Sequence, residues 1–167
     1  MAIDFSQVKT ITIPEGSVTK ITDSNGNILW QSASWHTIWE GSVTNYNEPT
    51  DKTVATLSDL SGTVTLRVTW SCSVSGGSNI PTNYYNNNGW QNLTSTKPNS
   101  PFQFKLNADS NRSYIVGVDK SSDGIGRSCY LIWKTYNKSF GLSGGVGIYG
   151  SGDVNLSMTI TKIEQYY

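Results

Sequence analysis

Apolar and polar residues alternate with a period of two along most of this chain, and no stretch keeps the three-to-four-residue spacing of an amphipathic helix. Thr, Val, Ile and Trp fill the alternating runs, while Gly, Asn, Ser and Pro separate them. The first runs are short: Val8–Ile13, Val18–Thr22 and Ile28–Gln31. Pro14 and Gly16 supply a turn between the first two. Asn25-Gly26 supplies a hairpin turn between the second and third. Residues 1–31 therefore read as a small β meander. Ser32–Ser34 form a polar joint, and the pattern then enlarges. Strands are predicted at Trp35–Glu40, Thr53–Leu57, Thr63–Val74, Phe102–Leu106, Tyr114–Val118, Cys129–Tyr136, Gly145–Tyr149 and Val154–Lys162. Eight strands with turn-rich gaps predict an all-β fold over residues 35–167, a jelly-roll-like β-sandwich.

The meander is too small to stand alone. Its apolar residues are Ile11, Ile13, Val18, Ile21, Ile28, Leu29 and Trp30. Each buried aliphatic side chain stabilises by about 1.5–3 kcal/mol, and each ordered residue costs about 1–2 kcal/mol of backbone entropy. The phase adds a second difficulty. Val18 and Ile21 fall on opposite faces, as do Leu29 and Trp30, unless a bulge corrects the register. A sheet apolar on both sides needs cover on both sides. The sandwich is one candidate cover; another chain is the other.

Composition narrows the function classes. Of 167 residues, 14% are charged, and formal net charge is zero. That balance lacks the basic face a nucleic-acid partner needs. No apolar run is long enough to span a bilayer, so no membrane insertion is predicted. The start, "MAIDFSQVKT", lacks the basic and apolar regions of a signal peptide, so synthesis in a cytoplasm is expected. Cys72 and Cys129 lie on apolar phases and read as buried free thiols, with a disulfide between facing sheets as the alternative.

Candidate chemistry is sparse, and no enzyme is predicted. His36, the single histidine, sits between Trp35 and Trp39 with no identifiable orienting partner, so it reads as a packing or surface residue. The carboxylates are scattered through turns, and no cofactor is implied. "DKSSDG" puts Asp119, Ser121 and Asp123 at alternating positions, as in part of a calcium loop. The acid expected eleven residues after Asp119 is Tyr130, so an Asp/Asn turn is the simpler reading, as it is for "NADSN" at 107–111. Between Val74 and Phe102 runs a stretch long enough either to be functional or to hide a short strand. Within it, "NYYNNNGWQN" mixes Tyr84, Tyr85 and Trp90 with amides such as Asn87. Rings that cover sugar faces and amides that satisfy hydroxyls suit glycan binding. The same mixture suits a protein contact, and a third reading has the rings folding back over the sandwich end.

The segment "VKTITIPEGSVTKITDSNGNILW" resembles an N-terminal module of tailed-bacteriophage structural proteins, with the pattern Ile-x-Ile-Pro-Glu-Gly-x-Val-x-Lys-Ile-x-Asp-x-x-Gly-x-x-Leu-Trp. The ending "MTITKIEQYY" is similar to the last strand of such proteins, and the two cover about a quarter of the chain. The resemblance implies a virion component whose meander attaches it to other virion proteins, in the head, a fibre or the tail tip. It implies a homo-oligomer, with a trimer favoured, and a displayed sandwich that contacts host-surface glycan or protein. It transfers no catalytic residue. The alternatives are a carbohydrate-active enzyme, which needs a groove flanked by two acids, and a free-standing carbohydrate-binding module.

Overall fold

The computed structural model describes residues 11–13, 16–87, 93–110 and 113–167. Its strands are β1 (Ile11–Ile13), β2 (Gly16–Val18), β3 (Lys20–Thr22), β4 (Ile28–Gln31), β5 (Trp35–Tyr46), β6 (Lys52–Thr56), β7 (Thr63–Ser75), β8 (Asn83–Asn86), β9 (Phe102–Asn107), β10 (Ser113–Ser122), β11 (Ile125–Lys134), β12 (Ser139–Val146) and β13 (Asn155–Tyr166). A single 3-10 turn, Thr135–Asn137, is the only helical element among the described residues. The fold is all-β. The chain separates into two compact units: Met1–His36 with Tyr166–Tyr167, and Thr37–Gln165.

In the larger unit the strand orders are β5-β13-β7-β9 and β6-β12-β11-β10-β8. Alternation decides what lies between the sheets. Leu66, Val68 and Trp70 of β7, Phe104 and Leu106 of β9, and Leu156, Met158 and Ile160 of β13 are buried at every second position. They meet Val116 and Val118 of β10, Cys129, Leu131 and Trp133 of β11, and Phe140 and Leu142 of β12 in one core. Phe104 and Phe140 touch edge to face across it, with ring centroids 6.3 Å apart. The Trp133 indole donates to the Ala108 carbonyl at 3.2 Å, so the largest core residue leaves no polar atom unmatched. Cys72 and Cys129 are both free thiols, and burial pushes Cys129 up to about 12.

Two strands differ from the sequence expectation for one reason. β12 runs Ser139–Val146 where Gly145–Tyr149 was expected. Its outward positions are Ser139, Gly141, Ser143 and Gly145, a composition that reads as turn. Neighbouring side chains stand over these glycines: Lys134 over Gly141 and the Ser128 hydroxyl over Gly145. β10 likewise continues through Asp119–Ser122, and the turn is confined to Asp123-Gly124, both with positive φ. Asp119 is thus a strand residue and not a turn residue. The long stretch between β7 and β9 hides β8, which pairs with β10.

The smaller unit contains two separate two-stranded ladders, β1-β2 and β3-β4, where one three-stranded meander was expected. The middle strand breaks at Thr19, whose carbonyl accepts the Ser32 N–H at 2.9 Å. The break resets the alternation between Val18 and Ile21, and both become half-buried. In β3-β4, Ile21 pairs with Trp30 and Thr22 with Ile28, which leaves Leu29 as the extra residue of a bulge. The turn joining them is set by Asp23. Its carboxylate accepts from the Asn25 N–H at 2.9 Å and the Asn27 N–H at 2.8 Å, and Gly26 takes φ +84°. The Asn27 side-chain amide, which donates to Oδ2 at 2.7 Å, and then these backbone donors hold the Asp23 carboxyl below its usual range.

Candidate functional site

The candidate residues distribute over three places. The first is the small unit. Ile11 and Ile13 lie in β1, though their side chains fall outside the described residues. Trp30 is buried, whereas Ile28 is 54% and Leu29 51% exposed. The Leu29 bulge thus leaves two adjacent large apolar side chains facing solvent at the end of a hairpin. His36 belongs to this unit. Its ring stacks on Tyr167 with centroids 4.2 Å apart, and its Nε2 lies 2.7 Å from the Gln31 amide nitrogen and 2.8 Å from Ser34 Oγ. Tyr167 and Ser34 also exchange backbone hydrogen bonds. An amide nitrogen only donates, so Nε2 accepts, and no carboxylate among the described residues orients the ring. The arrangement ties the chain end to the joint.

The second place is the Tyr/Asn segment. Trp90 lies outside the described residues. Tyr84 and Tyr85, adjacent on β8, point to opposite faces. Tyr84 packs against the core, and its backbone pairs with Thr94. Asn87 takes φ +68° and donates to the Lys105 carbonyl at 3.4 Å. Tyr85 is buried on the outward face of the five-stranded sheet, where it meets Tyr114 (5.8 Å) and Tyr130 (5.3 Å). Gly117 makes room for this cluster. A Cβ there would lie 2.5 Å from the Cys129 carbonyl oxygen and 2.6 Å from Tyr130 Cβ.

The third place adjoins that cluster and brings two of the candidates together. Asp119, Ser128 and Gly145 sit side by side on β10, β11 and β12, and Ser121 lies opposite Gly126 one step along the same face. Burial raises the Tyr85 phenol above its ordinary range, the Asp119 charge adds to the shift, and the nearby Ser128 side chain opposes it. Asp119 is only 8% exposed. The Ser121 hydroxyl lies 3.0 Å from its Oδ1 and 2.8 Å from its Oδ2. One hydroxyl carries one proton, so it satisfies one oxygen at a time. No cation pairs with this carboxylate among the described residues. Lys120 donates instead to the Ile80 carbonyl and Thr82, and Arg127 to the carbonyls of Val154 and Asn47. Burial accordingly pushes the Asp119 carboxyl above its usual range, with the Ser121 bonds opposing.

Asp119, Ser121, Ser128, Arg127 and the glycines at 124, 126, 145 and 147 line a cavity of about 210 Å³. Its rim is the 147–150 turn. Tyr149 N–H donates to the Gly124 carbonyl, Gly147 N–H to Gly126 and Gly126 N–H to Gly150, at 2.9–3.0 Å. Gly124 lies under this rim, where a Cβ would approach Ile148 and Tyr149 side-chain atoms to within 2.9 Å. Both rim side chains remain exposed, Tyr149 to 76%. A larger depression of about 420 Å³ beside Ile38, Leu57, Leu60 and Val64 is lined by no buried polar side chain.

Asp123 is exposed in the hairpin turn with its carboxylate near Ser122 Oγ, and no group of three His, Cys, Asp or Glu among the described residues could hold a metal ion. Sequence reasoning named Tyr85 and Asp119 separately, and missed Ser128 and Tyr149. The only signal for Ser128 was the alternation that β11 shares with β10, and Tyr149 stood in the Gly-rich stretch whose strand was misplaced. No protein-family model, curated protein or solved structure matches this chain.

Proposed function

We propose that this chain is a non-enzymatic structural protein of a tailed-phage particle, held by its N-terminal unit and displaying its sandwich. The observation that carries this reading is the exposed Ile28–Leu29 pair, on a unit compact in itself and bearing the phage-module pattern through Trp30. Two half-exposed aliphatic side chains side by side suit burial against another virion protein or another copy of the chain, a trimer being favoured. β5 pairs with β13 and β6 with β12, so first meets last and second meets next to last, which supports a jelly-roll-like winding. A glycosidase is the rival reading. It needs two carboxyl groups across a groove, and Asp119 is the single acid lining its cavity.

Cross-linking mass spectrometry on purified particles tests the proposal. Lys20, in the N-terminal unit, is expected to link to other virion proteins, while Lys97 and Lys105 of the sandwich stay without such links. Absence of the chain from purified particles, or links confined to the sandwich lysines, would overturn it.

A further inference from the structure

We propose that the cavity beside Asp119 is a saccharide-binding site, in which Asp119 and Ser128 hold the hydroxyls of one pyranose ring and Tyr149 covers its apolar face. The inference stands apart from the virion reading and would hold for a protein of any origin.

The carboxylate comes first. Asp119 accepts hydrogen bonds and donates none when ionised, and the single Ser121 hydroxyl proton, within reach of both oxygens, leaves carboxylate lone pairs open to further donors. A ligand that supplies such donors offsets part of the cost of holding the charge out of water. The ligand must therefore bring hydrogen-bond donors, as hydroxyls or as a cation.

The rest of the cavity decides between these. Arg127 is among the lining residues, and its guanidinium is taken up by the carbonyls of Val154 and Asn47. The Ser121 and Ser128 hydroxyls each donate and accept, which matches a partner that does both. Sugar hydroxyls do both; ammonium and guanidinium groups only donate. A volume of about 210 Å³ falls below the roughly 300–1,000 Å³ of sites for drug-sized ligands, and suits a single ring with its substituents.

The rim supplies the apolar half. Three backbone hydrogen bonds pin the 147–150 turn to the β10–β11 hairpin, and the Tyr149 ring lies against Gly124, a residue that lines the cavity. An exposed, positioned ring beside a polar floor combines the surfaces a pyranose presents: C–H groups on its face and hydroxyls around its edge. The glycines at 124, 126, 145 and 147 keep the walls low enough for a ring to enter.

Saturation-transfer NMR with methyl glycosides of glucose, galactose, mannose and N-acetylglucosamine, backed by a glycan array, provides the test. At least one pyranoside is expected to bind the full chain. Asp119→Asn and Tyr149→Ala should each weaken that binding at least tenfold with no loss of thermal stability. Tyr136→Ala, at an exposed tyrosine outside the cavity, should leave it unaltered. No binding to any saccharide, retention of binding in both cavity variants, or a preference for methylammonium or arginine methyl ester over every pyranoside would overturn the proposal.

Discussion

The two sheets of the sandwich each bury one carboxylate on or beside their outward faces, and they treat it in opposite ways. Glu164 on β13 is 6% exposed and Asp119 on β10 is 8% exposed. Glu164 receives Arg67 in a fork, Nε to Oε2 at 2.6 Å and Nη2 to Oε1 at 2.9 Å, with Lys162 Nζ 3.0 Å from Oε1. Those donors hold the Glu164 carboxyl at about 2. Asp119 has hydroxyl and backbone donors from Ser121, and burial moves it the other way. Near-equal burial with opposite electrostatics separates a carboxylate braced by two cations from one that has no cation partner among the described residues.

Opening the tyrosine cluster near Asp119 should have the largest effect. Tyr85→Ala deletes a buried ring from the Tyr114–Tyr130 cluster and should cost about 3–5 kcal/mol in urea unfolding. Tyr85→Phe keeps the ring and removes only the hydroxyl, and should cost no more than about 1 kcal/mol. Next comes the contrast itself. Glu164→Gln breaks the charged fork with Arg67 and should destabilise by about 1.5–3 kcal/mol at pH 7. Asp119→Asn at the same pH should cost nothing, or stabilise by up to about 1 kcal/mol, because it removes a buried charge without a cation partner. A loss for Asp119→Asn as large as that for Glu164→Gln would erase the distinction.

Acid should erase the difference between the two variants. The folded value of Glu164 lies below its ordinary 4.5, so its contribution is present above that pH and is lost as pH falls toward about 2. Asp119 is raised above its ordinary 3.8, so its term favours the folded state below that pH and fades as pH rises through the folded value. The cost of Glu164→Gln should therefore shrink between pH 4.5 and 2, and any gain from Asp119→Asn should vanish below 3.8. Urea midpoints from pH 7 down to 2 check both slopes. The smallest stability effect belongs to Ile28→Asp combined with Leu29→Asp. Exposed side chains should change unfolding by no more than about 0.5 kcal/mol, while light scattering should show loss of self-association.

The legible parts of the fold were those where burial is one-sided. Leu66, Val68 and Trp70 alternate with Thr65, Arg67 and Thr69, and the period alone locates β7. Asp23 through Asn27 announced a hairpin because each residue does a local job in the turn. Strand β12 was illegible because its outward face is serine and glycine, whose cover comes from Lys134 and Ser128 on the neighbouring strand. Asp119 was misread for the same kind of reason. In "DKSSDG" the polar residues look like solvated turn, and only pairing with Ser128 and the approach of Tyr85, more than thirty residues earlier, put the carboxylate out of water. Such a site depends on lateral neighbours, which a single strand's pattern does not contain. The split at Thr19 was hidden likewise, though the conflicting phases of Val18 and Ile21 marked where a break or bulge had to fall.

A carbon-detected NMR titration of the side-chain carboxyls, following Asp119 and Glu164 in the same sample, tests the central contrast most directly. Asp119 should titrate above 3.8 and Glu164 near 2. An Asp119 midpoint at or below 3.8 would mean that its charge is already compensated within the chain, and would contradict the account.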